Sequence, residues 1–130
     1  MKSIIVNKDN ITDNDIVGTT TRIKAFIINS KNEVLLAIAD DCYQLPGGHR
    51  EEDEDINNTL IREIGEETGI DITNTKATPF FERIQYVKNY RNRGESRISR
   101  IVYFLIRTDD EINEANQHLT EPEKEFNFKE

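Results

Sequence analysis

A chain of 130 residues can bury one hydrophobic core but not two, so residues 1–130 are expected to form a single domain in which site and scaffold share one fold. With 32% charged residues and a formal net charge of −8, it is ill suited to long-range attraction to nucleic acid or an anionic membrane, and no stretch approaches the roughly 18 apolar residues of a bilayer span. Isoleucine, valine, leucine and phenylalanine nonetheless recur in blocks, which argues against a disordered polymer and for a soluble globular protein.

Residues 1–10 lack the apolar run of a signal peptide, and the single cysteine, Cys42, has no partner for an internal disulfide, so the expected compartment is the cytoplasm. In chain order, residues 19–29 and 33–39 are two runs rich in β-branched and aromatic or apolar side chains. Ser30, Lys31 and Asn32 between them supply turn chemistry, and a β-hairpin is predicted. Gln44, Leu45, Pro46, Gly47 and Gly48 follow, where a proline and paired glycines predict an irregular, backbone-exposed loop. Asp53 or Asp55 can cap the next element, a helix predicted over residues 56–68. Ile56, Leu60, Ile61 and Ile64 lie on one side of it, and Gly69 is its C-cap candidate. Residues 80–88 and 100–107 read as long strands joined by the arginine-rich stretch 89–99, and residues 125–128 as a short last strand. These elements predict an α/β (α+β) domain with a mixed β-sheet.

The helix carries the chemistry. Glu63, Glu66 and Glu67 stand at i, i+3 and i+4, so at about 100° per residue they share one sector. Each like-charge pair costs roughly 0.2–0.5 kcal/mol even on an exposed helix, and acids near a helix C-terminus also oppose its dipole. A cation would remove that penalty, and carboxylate oxygens suit magnesium or manganese, Mg2+ or Mn2+. Gly47 and Gly48 leave backbone carbonyls open to a further ligand role, while Arg62 can pair with Glu54 and hold the loop against the helix. Against this stands the plainer account of charged residues on a solvated helix face.

Read in order, the residues are Gly48, five others, Glu54, seven others, Arg62, Glu63, Ile64, one other, Glu66, Glu67, one other, Gly69 and Ile70. This pattern resembles the complete Nudix box at every fixed position of its 23 residues, and Leu45, Pro46 and Gly47 ahead of it are also typical of that family. The resemblance implies a Nudix-like α/β/α sandwich. It also implies magnesium bound by Glu63, Glu66 and Glu67 with help from the Gly47 carbonyl, and a site oriented by Arg62 and Glu54. The implied chemistry is attack of a metal-activated water on the diphosphate link of a nucleoside diphosphate derivative. Glu63 is the candidate base within the box; Glu121 and Glu123 are candidates outside it, against a plainer role as solvated loop charge. Family members usually continue into a C-terminal helix that is apparently missing here. The resemblance therefore leaves two accounts, a shortened chain or a homodimer in which a second subunit covers the apolar face.

Substrate signals are thinner. Arg91, Arg93, Arg97 and Arg100 are candidates to hold phosphate, or simply solvated charge in an acidic protein. Tyr86, sixteen residues past Ile70, resembles in its spacing the tyrosine of members acting on dinucleoside polyphosphates, and base stacking is weighed there against plain packing. Many ADP-ribose hydrolases of that family carry a proline further past the box than Pro79, which lies only nine residues beyond Ile70, so the resemblance mildly disfavours ADP-ribose. His49 can reach phosphate or face solvent. A small nucleotide substrate is expected, with no membrane and no stable nucleic-acid partner. The alternatives are an RNA 5′-pyrophosphohydrolase, which the negative charge disfavours, and a non-catalytic nucleotide-sensing module, which would be expected to have lost box acids that this chain keeps.

Overall fold

The computed structural model describes residues 1–39, 42–88, 94–117 and 127–129. In chain order these comprise β1 (Lys2–Val6), a 3-10 turn (Asp13–Asp15), β2 (Ile16–Ile28), β3 (Leu36–Ala39), β4 (Cys42–Gln44), β5 (Gly47–His49), α1 (Ile56–Thr68), β6 (Ala77–Val87), β7 (Ser96–Arg107), a second 3-10 turn (Glu114–Asn116) and β8 (Asn127–Lys129).

Alternation of side chains sets the main sheet. Along β2, Ile23, Ala25 and Ile27 are buried, while Arg22, Lys24 and Phe26 project to the opposite face. β7 lies parallel to β2 in a register that seats Ile23 beside Val102, Ala25 beside Phe104 and Ile27 beside Ile106, so one face of both strands is apolar. β6 pairs antiparallel with β7, β1 parallel with β6, and β5 antiparallel with the other edge of β2, giving a five-stranded mixed sheet in the order β1-β6-β7-β2-β5. A smaller antiparallel sheet has the order β4-β3-β8.

The apolar face is covered by α1. The Asp55 carboxylate accepts from the Asn58 N–H at its start, and Gly69, at φ 74°, ends it with an N–H to the Gly65 carbonyl. Between the caps, Leu60 and Ile64 enter the cluster formed by Ile23, Val102, Phe104 and Ile106, each such buried side chain contributing roughly 1.5–3 kcal/mol.

Helix bounds and cap agree with the sequence reading, and the expected α+β class with a mixed sheet is present. Two expectations are corrected. The predicted hairpin is reduced to a single antiparallel bridge between Ile28 and Val34, because the chain leaves β2 there to build the smaller sheet. The predicted irregular loop instead holds two short strands. Gly47 and Gly48 lie in β5, flush against β2, since a Cβ on Gly47 would stand 2.0 Å from the Ile23 carbonyl oxygen. Among the described residues α1 is the one α-helix, so the second helical layer of a sandwich is not among them, and no helix is long and apolar enough to cross a membrane.

Candidate functional site

The catalytic-helix candidates divide between two sides of α1. Glu63 and Glu67, one turn apart, are 9% and 5% exposed and line a cleft of about 360 Å³ with Gly47, Gly48, His49, Glu51, Arg22 and Lys24. Glu66 is not among that lining; its side chain, 37% exposed, turns toward Arg62 and a shallow groove on the outer side of the helix. Helical spacing thus brought two of the three acids to the cleft and left the third on the outer side of the helix.

Short-range geometry ties the glycine strand to the helix. The Gly47 N–H donates to Glu67 Oε2 at 3.0 Å. A Cβ on Gly48 would stand 2.4 Å from the Glu63 carboxyl carbon, so the Glu63 carboxylate fills the space that any side chain at position 48 would need. The absent side chain at Gly48 is what lets a buried acid reach the cleft wall.

Arg62 is the hub of the charge network. Its guanidinium donates to both oxygens of Glu54 at 2.8 and 3.0 Å, to Glu63 at 2.9 Å, to Glu66 at 3.4 Å and to the His49 carbonyl at 3.0 Å. The fork-shaped donor set makes this a bidentate pair with Glu54, as the eight-residue spacing predicts. Arg62, with Thr59 and the Glu51 N–H adding to its effect, holds Glu54 down to about 2, well below the usual carboxylate value. Glu54 chiefly, with Glu63, in turn holds the Arg62 guanidinium protonated, its pKa pushed above the ordinary value. In this arrangement Arg62 supplies the countercharge that the helix-face repulsion requires.

Lys24 and Arg22, which the sequence reading passed over, are the cations of the cleft lining. The Lys24 ammonium donates to the Leu45 carbonyl at 3.2 Å. Burial pushes Lys24 below its usual value, Arg22 adds to this, and the fields of Glu67 and Glu63 oppose it. A signal was available: Arg22 and Lys24 interrupt an otherwise apolar and β-branched strand at alternate positions, on the face opposite Ile23 and Ala25.

The remaining candidates lie elsewhere. The Tyr86 hydroxyl donates to Asp13 at 2.7 Å, away from the cleft lining. Arg100 pairs with Glu82 at 2.8 Å, and the Arg97 guanidinium lies close against Gly18. His49 is exposed at the cleft mouth and Cys42 is exposed on β4. Arg91, Arg93, Glu121 and Glu123 lie outside the described residues.

Among the described residues no three His, Cys, Asp or Glu side chains are already gathered into a metal cage. In kind, however, the cleft's donors fit a hard divalent cation: two buried carboxylates set against a glycine backbone.

Comparison with solved structures gives the same fold in several proteins. The mutator MutT protein of Bacillus halodurans superposes with a TM-score of 0.56 at 22% identity, covering 85% of this chain and 67% of that one. The dihydroneopterin triphosphate pyrophosphohydrolase of E. coli gives 0.55 at 17%, covering 72% and 70%. DR0079 from Deinococcus radiodurans gives 0.52 at 17%, covering 75% and 60%, so this chain spans about three fifths of that protein's length. No curated protein matches this chain significantly in sequence. The NUDIX domain family model matches residues 18–129. That span takes in most of β2, the glycine strand and the whole of α1, which build the cleft, together with β6 and β7, and the chain therefore belongs to the Nudix family.

Proposed function

We propose that this chain is a divalent-cation-dependent pyrophosphohydrolase that cleaves the diphosphate link of a nucleoside diphosphate derivative. The observation that carries the reading is the pair of buried carboxylates, Glu63 and Glu67, sharing one cleft wall with the Gly47 and Gly48 backbone and with Lys24. Both acids are kept nearly out of water, Glu63 paired with Arg62 and Glu67 bonded to the Gly47 N–H, and both are nonetheless presented to the same cleft.

Glu63, Glu66 and Glu67 with the Gly47 carbonyl would hold magnesium or manganese. A bound cation of this kind supplies charge neutralisation at the phosphate oxygens and a more acidic attacking water. Arg62 and Glu54 keep the helix and the β5 backbone at fixed separation, so that the carboxylates are oriented before substrate arrives. Glu63 is the candidate to take the proton of the attacking water. The new P–O bond forms on one phosphorus as the bridging P–O bond breaks, releasing a nucleoside monophosphate and a phosphate ester. Lys24 and Arg22 offset negative charge gathered at the reacting phosphates.

The test is a phosphate-release assay across nucleoside di- and triphosphate derivatives, with a phosphatase to liberate phosphate from esters and with and without magnesium. Magnesium-dependent turnover, reduced at least a hundredfold or so in Glu67→Gln with an unchanged far-ultraviolet circular dichroism spectrum, is expected. Nucleotide binding without turnover of any compound would replace the enzyme by a sensing module, and full activity in Glu67→Gln would remove that side chain from the mechanism.

A further inference from the structure

Thr59, on α1, is a fully buried polar residue outside the cleft lining. Its hydroxyl has two oxygens in reach, Glu54 Oε1 at 2.8 Å and the Asp55 carbonyl at 3.0 Å, and one proton to give. The Asp55 carbonyl already accepts the Thr59 N–H at 3.0 Å, whereas Glu54 is a carboxylate, to which a donor bonds roughly twice as strongly. The proton therefore goes to Glu54. With that bond, Glu54 Oε1 receives the Thr59 hydroxyl, the Glu51 N–H at 3.1 Å and Arg62 at 3.0 Å, while Oε2 receives Arg62 Nε at 2.8 Å. Of these donors Thr59 is the one held by the core, since Glu51 is exposed and the Arg62 side chain is 23% exposed. The other edge of the same guanidinium reaches Glu63 at 2.9 Å and the His49 carbonyl at 3.0 Å. A continuous series of hydrogen bonds thus runs from a buried hydroxyl, through Glu54 and Arg62, to a carboxylate of the cleft wall.

We infer that Thr59 is a positioning residue: its hydroxyl, anchored in the core, fixes the plane of the Glu54 carboxylate, and through the Arg62 fork fixes the direction in which Glu63 enters the cleft. The catalytic consequence rests on the reading of the chain as a pyrophosphohydrolase; the lock on Arg62 does not. A carboxylate turns about its last single bond, and a third direction of approach at Oε1 is what holds both oxygens in the plane of the guanidinium. The plainer role for a helical threonine is a bond to the carbonyl four residues back, and it predicts that loss of the hydroxyl changes stability alone. Valine separates the two, because it fills the same buried space and leaves no room for a water to replace the hydroxyl.

The experiment compares Thr59→Val, which removes the hydroxyl, with Thr59→Ser, which keeps it, by two readouts. The first is solvent exchange of the Arg62 Nε–H followed by nitrogen-15 NMR, the signal being assigned by its loss in Arg62→Lys. Exchange is expected to quicken roughly tenfold in Thr59→Val, the weight of a hydrogen bond to a charged group, and to stay within about twofold of the unaltered protein in Thr59→Ser. The second is steady-state kinetics with magnesium: kcat should fall roughly tenfold in Thr59→Val with KM within about twofold, and Thr59→Ser should recover most of the loss. In a Glu54→Gln background Thr59→Val should change kcat by less than about twofold, because the two residues act as one unit. Should Thr59→Val fail to fold by circular dichroism, Thr59→Ala carries the same comparison with Thr59→Ser. Unchanged Nε–H exchange, equal acceleration by both variants, an unaltered kcat in an active enzyme, or full additivity with Glu54→Gln overturns the inference and leaves the enzymatic reading standing. If the unaltered protein turns over no nucleotide, the enzymatic reading falls, and the exchange comparison by itself upholds or overturns the lock on Arg62.

Discussion

At the scale of single residues, the two adjacent glycines are predicted to fail differently. A methyl group on Gly47 meets backbone, the Ile23 carbonyl oxygen, at 2.0 Å, and its φ of 151° is a conformation alanine rarely adopts. Gly47→Ala should therefore cost several kcal/mol, about 3 or more, visible as a large loss of melting temperature. On Gly48 the same methyl meets the mobile end of Glu63 instead. Gly48→Ala should fold with a small loss, but its displaced carboxylate should lower kcat roughly a hundredfold, a split that melting and steady-state kinetics on the two variants will read. Glu54 gives a pH signature. Its folded value of about 2 lies below the 4.5 of a free carboxyl, so its contribution is fully present above pH 4.5 and is lost as the pH falls from there toward 2. The shift corresponds to at most about 3 kcal/mol, less once water screens the pair. Denaturant melts of Glu54→Gln should show the deficit at neutral pH closing across that acidic window; a gap independent of pH would mean that the carboxylate charge is not what Arg62 uses. Glu54 and Arg62 were legible from spacing because both lie within one helix and its preceding turn. Lys24 was not, because its place depends on which strand pairs with β5.

At the scale of elements, α1 is held at its C-terminal end by residues distant in sequence. The last carbonyls of a helix have no intrahelical partner. Here the Thr68 carbonyl accepts from the Asn113 N–H at 2.8 Å, and the Glu67 carbonyl accepts from the Gln117 side chain at 2.8 Å. The second 3-10 turn thus buttresses the helix at the residue that faces the cleft. Gln117→Ala should cost about 1 kcal/mol, a few degrees of melting temperature, and should speed amide exchange in the last turn of α1 more than in its first. Uniform exchange along the helix would deny the buttress. Asp55→Ala removes the opposite cap for a similar cost of about 1 kcal/mol and should leave substrate KM unchanged, since the cap lies outside the cleft lining. Caps and helix length could be read from residues within four positions of each other, and the helix emerged with the expected bounds. The glycine strand could not be read in this way. Pro46, Gly47 and Gly48 are turn formers in isolation, and β2 recruits the two glycines as a strand because nothing projects from them.

At the scale of the whole molecule, binding to the folded state alone raises stability by about 2.7 kcal/mol at a hundredfold excess over the dissociation constant. Magnesium should therefore raise the melting temperature of the unaltered protein, and chelation should reverse it. A Glu63→Gln, Glu67→Gln double variant should show neither shift, so an equal magnesium response in that variant would move the cation elsewhere. The sequence by itself determined the family, the helix with its acids, the Arg62–Glu54 clamp and the mixed α+β class. All of these follow from contacts between residues close along the chain or from a fixed residue pattern. Tertiary structure alone decided that Glu63 and Glu67 face the cleft while Glu66 turns to a separate groove beside Arg62, that Lys24 and Arg22 share the cleft with the two acids, and that Tyr86 lies away from it, bonded to Asp13. Those outcomes depend on strand order and register, which are set by how the apolar faces of β2 and β7 come together under α1, a choice made by the buried core and not by any local run of residues.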